Sequence, residues 1–258
     1  MVENIQLGME RMISELEDYK SRGIFSPDEL RRIVETRRKY ELRLQRPEKK
    51  LLDFMRYIKS ECILEKIRDK RVKEKKVGAS FHDMSIPKKI VELYRSALYR
   101  FNDPKIISQF ATYVIKKKMY GEMKNVFAEC CTKNPLDVDL WIYCAFKLFE
   151  IGDIESSRAM FLKGIRMNSR SSRIRIEFFR MEVMYIEKTE ILSREIGLDS
   201  DDKDEIERGE VAFAVFVDCF NSSCFTAKEI DEVLEISKDV KELRKRIEDY
   251  TRGKGPYN

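Results

Sequence analysis

Lys66, Arg68, Lys70, Arg71, Lys73, Lys75 and Lys76 crowd into eleven residues, diluted only by Asp69 and Glu74. Seven cations against two acids leave +5, the same excess as the whole 258-residue chain with its 51 basic and 46 acidic residues. Two readings stay open. Cations at this density can meet RNA phosphates and release their counterions. They can equally form a solvated helix end whose positive charge complements the C-terminal dipole. No aromatic is interleaved in the run, so base stacking is not expected there. A second basic cluster comprises Arg166, Arg170, Arg173 and Arg175. Arg175 stands where a packing aromatic would fall. It either points outward to an acidic partner segment or caps carbonyls at a helix end.

Other reactive side chains are thinly spread. His82 is the single histidine, so no Ser–His or Cys–His pair can be assembled with a second base elsewhere. Cysteines at 62, 130, 131, 144, 219 and 224 form no C-x-x-C pair, and soft metal sites need several ligands at close spacing. Cys130-Cys131 reads as a small packing residue beside an ordinary one. "RGKGP" (Arg252 to Pro256) has no G-K-S/T end and no preceding strand, so it is no phosphate loop. Neither an enzyme, a cofactor nor a metal is expected. The first twenty residues hold five acids, and the longest apolar run, "VAFAVFV", is seven residues. A bilayer span needs about 20. A reduced, intracellular, soluble chain without signal peptide or membrane contact is the expectation.

The elements that must position the cations are helices. Charged residues make up 38% of the chain, with only 10 Gly and 6 Pro, a mix suited to solvated helices with one buried stripe each. Val2, Ile5, Met9, Met12, Leu16 and Tyr19 step by three and four, which predicts a helix stopped near Gly23. "SPDE" (Ser26 to Glu29) is a capping box with Pro at the first helical position and opens a second helix to about Gln45. A third restarts after Arg46-Pro47, with Leu51, Phe54, Met55, Ile58 and Cys62 on one side, and runs into the basic stretch. "VGASFHDMSIP" mixes Gly, Ser and Pro without period and marks the boundary between residues 1–83 and 84–258. Beyond it, Pro87, Asp103-Pro104, Pro135, Gly152-Asp153 and Arg170 each open a helix of roughly 12–16 residues. The acidic segment around Asp199 to Glu205 reads as a loop. "TAKE" (Thr226 to Glu229) caps a final helix carrying Val233, Ile236, Val240, Leu243, Ile247 and Tyr250. Both terminal stripes are short for coiled coils and read as caps of a helical stack.

Inside 84–258 a period emerges. Tyr94, Phe127 and Phe161 are each followed three residues on by a small residue: Ala97, Cys130 and Gly164. The rings lie 33 and 34 residues apart (127 − 94, 161 − 127). A ring one turn from a small residue lets a neighbouring helix lie close at one point and be covered at the other. Two helices per unit at this period predict an all-α fold of antiparallel hairpins stacked as an α-solenoid. The lone tryptophan, Trp141, then serves as a buried wedge.

"SRAMF" (Ser157 to Phe161) and "FFRMEVM" (Phe178 to Met184), with Glu182 as its acid, resemble the half-a-TPR (HAT) repeat and its A-R-x-x-F core. That resemblance implies a HAT/TPR-like stack and a place in RNA-processing assemblies. "LEDYKSRGIFSPDELRRI", "YELRLQR", "DFMRYIKSECILEKIRDKR", "EFFRMEVMYIEK" and "ERGEVAFAVFVDC" resemble, in order, the U3 small nucleolar RNA-associated protein 6 family. The resemblance implies a non-catalytic scaffold of the small-subunit processome, in the nucleus and nucleolus, acting in pre-18S rRNA processing. It implies WD-repeat proteins of one subcomplex as partners, association with the U3 snoRNA and pre-rRNA assembly, and further repeats after the stretch seen here. A HAT scaffold of a pre-mRNA splicing or 3′-end complex is the alternative.

Overall fold

The computed structural model describes residues 12–196, 209–222 and 225–253. Within them the fold is all-α, with twelve α-helices, one 3-10 turn and no strand. Contacts group the chain into two units, Met1–Val126 and Phe127–Asn258.

The first unit contains α1 (Ile13–Ser21), α2 (Pro27–Leu44), α3 (Leu51–Lys75), α4 (Ser85–Arg100) and α5 (Pro104–Lys117), with α6 (Tyr120–Lys133) starting in it. Ser26 and Glu29 cap α2 as the sequence predicts: the Glu29 amide donates to Ser26 Oγ at 3.3 Å and the Ser26 amide to Glu29 Oε2 at 2.8 Å. Asp103 accepts from the Lys105 amide at 2.8 Å and Pro104 opens α5. α3 and α5 each end on a lysine, Lys76 and Lys118, with φ of 50° and 56°. No glycine marks either stop. Rings from successive helices lock this unit together. Tyr40 stacks on Tyr57 at 4.9 Å, and Phe54 meets Phe101 edge-on at 6.0 Å.

One charged group sits among them. Arg37, 2% exposed, sends Nε and Nη2 to Glu61 at 2.9 and 2.8 Å. Its Nη1 and Nη2 also reach Glu15, at 3.0 and 3.3 Å. Burial alone would pull the guanidinium pKa down; the facing carboxylates of Glu61 and Glu15 outweigh it and raise it. The triad ties α1, α2 and α3 at one point.

In the second unit α7 (Val138–Glu150) and α8 (Ile154–Met167) form a hairpin, and α9 (Ser172–Ile196) packs across both. Asp137 and Asp153 cap α7 and α8 through the amides of Leu140 (3.0 Å) and Ser156 (3.1 Å). Between them Gly152 takes φ +86°, a left-handed turn that a side chain would strain. α10 (Glu210–Asn221), α11 (Ala227–Ile236) and α12 (Lys241–Gly253) close around Phe179, Val183, Ile186, Phe216, Val233, Leu243 and Ile247.

Two expectations are corrected. α9 runs 25 residues, longer than the predicted 12–16, because no Gly or Pro interrupts it. The single final helix is two, broken at Ser237–Val240; the Ser237 hydroxyl, fully buried, donates to the Leu234 carbonyl at 3.2 Å. The break lets Val233 and Leu243, from either leg, meet the same core around Phe216. Val2, Ile5 and Met9 of the first stripe, the Asp199–Glu205 stretch, Cys224 and the end of "RGKGP" lie outside the described residues.

Candidate functional site

The repeat rings are buried, and each meets a second ring. Tyr94 packs on Phe110 at 5.8 Å, Phe127 on Tyr143 at 6.4 Å, and Phe161 stacks on Phe178 at 5.1 Å. These partner rings, 16 or 17 residues further on, recur 33 and 35 residues apart (143 − 110, 178 − 143) and were readable as a second aromatic register. Ala97, Cys130 and Gly164 are buried, as close approach requires. A Cβ added at Gly164 would meet Ile174 Cδ1 at 2.5 Å and Trp141 Cβ and Cγ at 3.1 Å. Trp141, 4% exposed, donates from Nε1 to the Pro135 carbonyl at 3.0 Å, and Asn168 Nδ2 donates to the same oxygen at 2.9 Å. Burial pushes the Cys130 thiol up to about 12.

Glu182, 1% exposed, receives both prongs of Arg158, at 2.7 and 2.8 Å. The Arg of "SRAMF" and the Glu of "FFRMEVM" are therefore one α8–α9 clamp. Ser157, in the Ala position, donates to the Ala145 carbonyl at 2.8 Å. Glu182→Gln keeps the volume and removes the charge, leaving one prong of Arg158 without an acceptor. It is expected to cost about 1–3 kcal/mol in urea unfolding; a change below about 0.5 kcal/mol would refute the clamp.

Arg175 is 6% exposed and donates from Nη1 to the carbonyls of Ser169 and Ser171 at 2.6 and 3.3 Å. The outward orientation is thus corrected in favour of the carbonyl-capping one: the turn before α9 has orphan acceptors that the guanidinium satisfies. Arg173 stays at the surface, 2.6 Å from Asp139.

The basic run divides by helix face. Arg68, 5% exposed, turns inward to Asp69 at 2.9 Å and Asp83 at 3.4 Å. Arg71 forks onto Glu29 at 2.7 and 2.8 Å, donates to the Ile24 carbonyl at 3.1 Å and lies over the Phe25 ring. Lys75 donates to the Gly23 carbonyl. Arg71 and Lys75 staple α3 to the turn before α2 and Arg68 ties it to Asp83; Arg68 and Arg71 are thereby corrected from solvent-facing to internal contacts, while Lys75 stays exposed. Lys66, Lys70, Lys73 and Lys76 remain exposed, Lys70 reaching Glu74 at 3.7 Å. Lys66, Lys70 and Lys73 continue a stripe that starts upstream. Leu52, Arg56, Lys59, Ile63, Lys66, Lys70 and Lys73, spaced by three and four, are all exposed on α3. From Arg56 to Lys73 the stripe is about 25 Å long. Arg56 and Lys59 escape a search for contiguous charge; the helical spacing is the signal that finds them.

Arg71 holds the Glu29 carboxyl far below its ordinary 4.5, at about 2, helped by the Ser26 amide. A carboxyl whose folded pKa is depressed adds stability that is fully present above its unfolded value and lost as pH falls towards the folded one. Stability from this pair should therefore fade between about pH 4.5 and 2. Carboxyl NMR titration should find the Glu29 midpoint near the lower value, and Arg71→Gln should move it up towards 4.5; an unmoved midpoint rejects the pairing.

Among the described residues no three His, Cys, Asp or Glu side chains are grouped to hold a metal ion, and no helix is long and apolar enough to cross a membrane.

The structure thus carries a bidentate acid clamp between repeat helices and a hairpin region ahead of it that bears the cationic stripe. Residues 9–92, which include α1–α3 and that stripe, match the family model described as U3 small nucleolar RNA-associated protein 6. Along a longer stretch the chain is 31% identical over 192 residues to the U3 small nucleolar RNA-associated protein 6 of Schizosaccharomyces pombe, covering 73% of this chain and 39% of that protein. The chain is similar to this family along these stretches. The Homo sapiens homolog of U3 small nucleolar RNA-associated protein 6 is 27% identical over 229 residues, covering 84% of this chain and 38% of its own. The Dictyostelium discoideum homolog is 25% identical over 187 residues, covering 72% and 31%. The chain therefore spans between 31% and 39% of the length of these curated relatives. The stripe, the Arg37 triad and the Arg71–Glu29 staple all fall inside the segment matched by the family model.

Proposed function

We propose that this chain acts in ribosome biogenesis as a non-catalytic scaffold subunit of the small-subunit processome, working in pre-18S rRNA processing. The observation that carries the reading is the family match over 9–92 joined to identity with relatives named for association with the U3 small nucleolar RNA. The helical architecture supports it: stacked hairpins offer broad side-chain surfaces to several partners at once. Residues 1–83 supply the cationic helix and 84–258 the ring-jointed repeats. The chain works by engaging several subunits at once, WD-repeat proteins of its subcomplex among them, and bringing them to the U3 snoRNA and pre-rRNA assembly in the nucleolus. Affinity purification of the tagged chain tests this. U3 snoRNA and WD-repeat proteins are expected to co-purify, and the proteins are expected to stay bound after RNase. Release of every protein by RNase, or absence of U3 snoRNA beforehand, would sink the scaffold reading.

A further inference from the structure

Between α2 and α3 lies a groove of about 210 Å3, lined by Ile33 and Thr36 on one side and Ile63, Leu64 and Ile67 on the other. Its floor is the buried Arg37–Glu61 pair. Ile63 is 50% exposed and Ile67 40%, and Leu52, further along the same stripe, is 56%. The rim is cationic. Arg32 lines it on the α2 side, and Lys59, Lys66 and Lys70, each about one turn from Ile63 or Ile67 along α3, are exposed. The acid lining the groove, Glu61, is held by Arg37 at 2.8 Å, and of the lysines Lys70 also reaches Glu74 at 3.7 Å.

We propose that this groove docks an acidic amphipathic helix of a protein partner. The proposal deepens the scaffold reading above and rests on it. Aliphatic side chains one turn apart, at 63 and 67, match the apolar face of an incoming helix, whose anchors recur at three and four residues. The cations flanking them match carboxylates on the edges of that helix, which steer the encounter and set its register. Nucleic acid fits less well. Phosphates gain nothing from half-exposed isoleucines, and the stripe offers no ring on which a base could stack. A face built for the RNA backbone alone would carry cations without the aliphatic row.

A photo-crosslinking amino acid placed at Thr36, in the full chain expressed in its own cells, tests the assignment. The expected adduct resists RNase, is destroyed by protease, and maps to a partner segment with net negative charge and apolar residues at positions i, i+3 or i+4, and i+7. Ile63→Ser with Ile67→Ser should reduce the adduct about tenfold or more, equivalent to about 1.4 kcal/mol. Lys59→Glu with Lys66→Glu should do the same without touching the apolar lining. An RNase-sensitive adduct, a basic partner segment, no adduct, or an adduct indifferent to both variant pairs would overturn the proposal. U3 snoRNA co-purification is read in parallel. If U3 snoRNA is retained while the adduct is missing, only the groove assignment fails; if both are missing from the unaltered chain, the scaffold reading fails with it.

Discussion

Arg37→Ala lowers the unfolding free energy by about 3–5 kcal/mol, the range for breaking a buried ion network by removing one partner. The reason is what remains. Glu15 and Glu61, 6% and 2% exposed, both lean on this one guanidinium, and four of its hydrogen bonds go to them. Without it, two carboxylates lie side by side with no counter-charge and little water. The compensating experiment is Arg37→Met together with Glu15→Leu and Glu61→Leu. An apolar replacement of a whole buried network is often neutral or stabilising, so the triple variant should recover most of the loss. Urea unfolding followed by far-ultraviolet circular dichroism reads both, with equal denaturant slopes as the check that the two variants unfold alike. Arg37→Ala within about 1 kcal/mol of the parent would mean that the triad is not the tie between α1, α2 and α3.

Trp141→Ala is expected to cost a comparable amount, about 3–5 kcal/mol. The indole fills the space that Gly164 leaves open between α7 and α8, and its N–H is bonded, so truncation loses both packing and a buried hydrogen bond. Gly164→Ala probes the same joint from the other side. Alanine gains about 1 kcal/mol of helix propensity over glycine, yet its Cβ would press on Trp141 Cβ and Cγ, which are anchored near the backbone. Overpacking costs about 1–3 kcal/mol, so the substitution should destabilise in the parent chain. With Trp141→Ala already in place the Cγ contact is gone while Ile174 Cδ1 and the Cβ of residue 141 remain, so the cost should shrink. A Gly164→Ala effect of the same sign and size in both backgrounds would show that the ring and the glycine do not share a joint.

Much of this was legible in residue spacing. The 33- and 34-residue recurrence of ring and small residue located buried contacts correctly, because helix-on-helix packing needs a bulky and a small side chain at fixed offsets. Capping residues located helix starts for the same local reason: Ser26, Asp103 and Asp153 each satisfy amides within their own turn. The stops were harder. Lys76 and Lys118 end their helices in a left-handed conformation that a lysine does not advertise. The candidate site was half legible. Charge density picked out residues 66–76, but which cations are bonded within the chain depends on where Glu29, Asp83 and the Gly23 and Ile24 carbonyls sit in space. Arg175 stayed open between two readings for a like reason. Its acceptors are backbone oxygens, to which side-chain patterns are blind.

The lone indole, fastened at its nitrogen to the Pro135 oxygen that Asn168 also holds, makes the α7–α8 hairpin optically self-reporting. With no second tryptophan to dilute the signal, a red shift in its emission would time the parting of those two helices during assembly, with no dye attached.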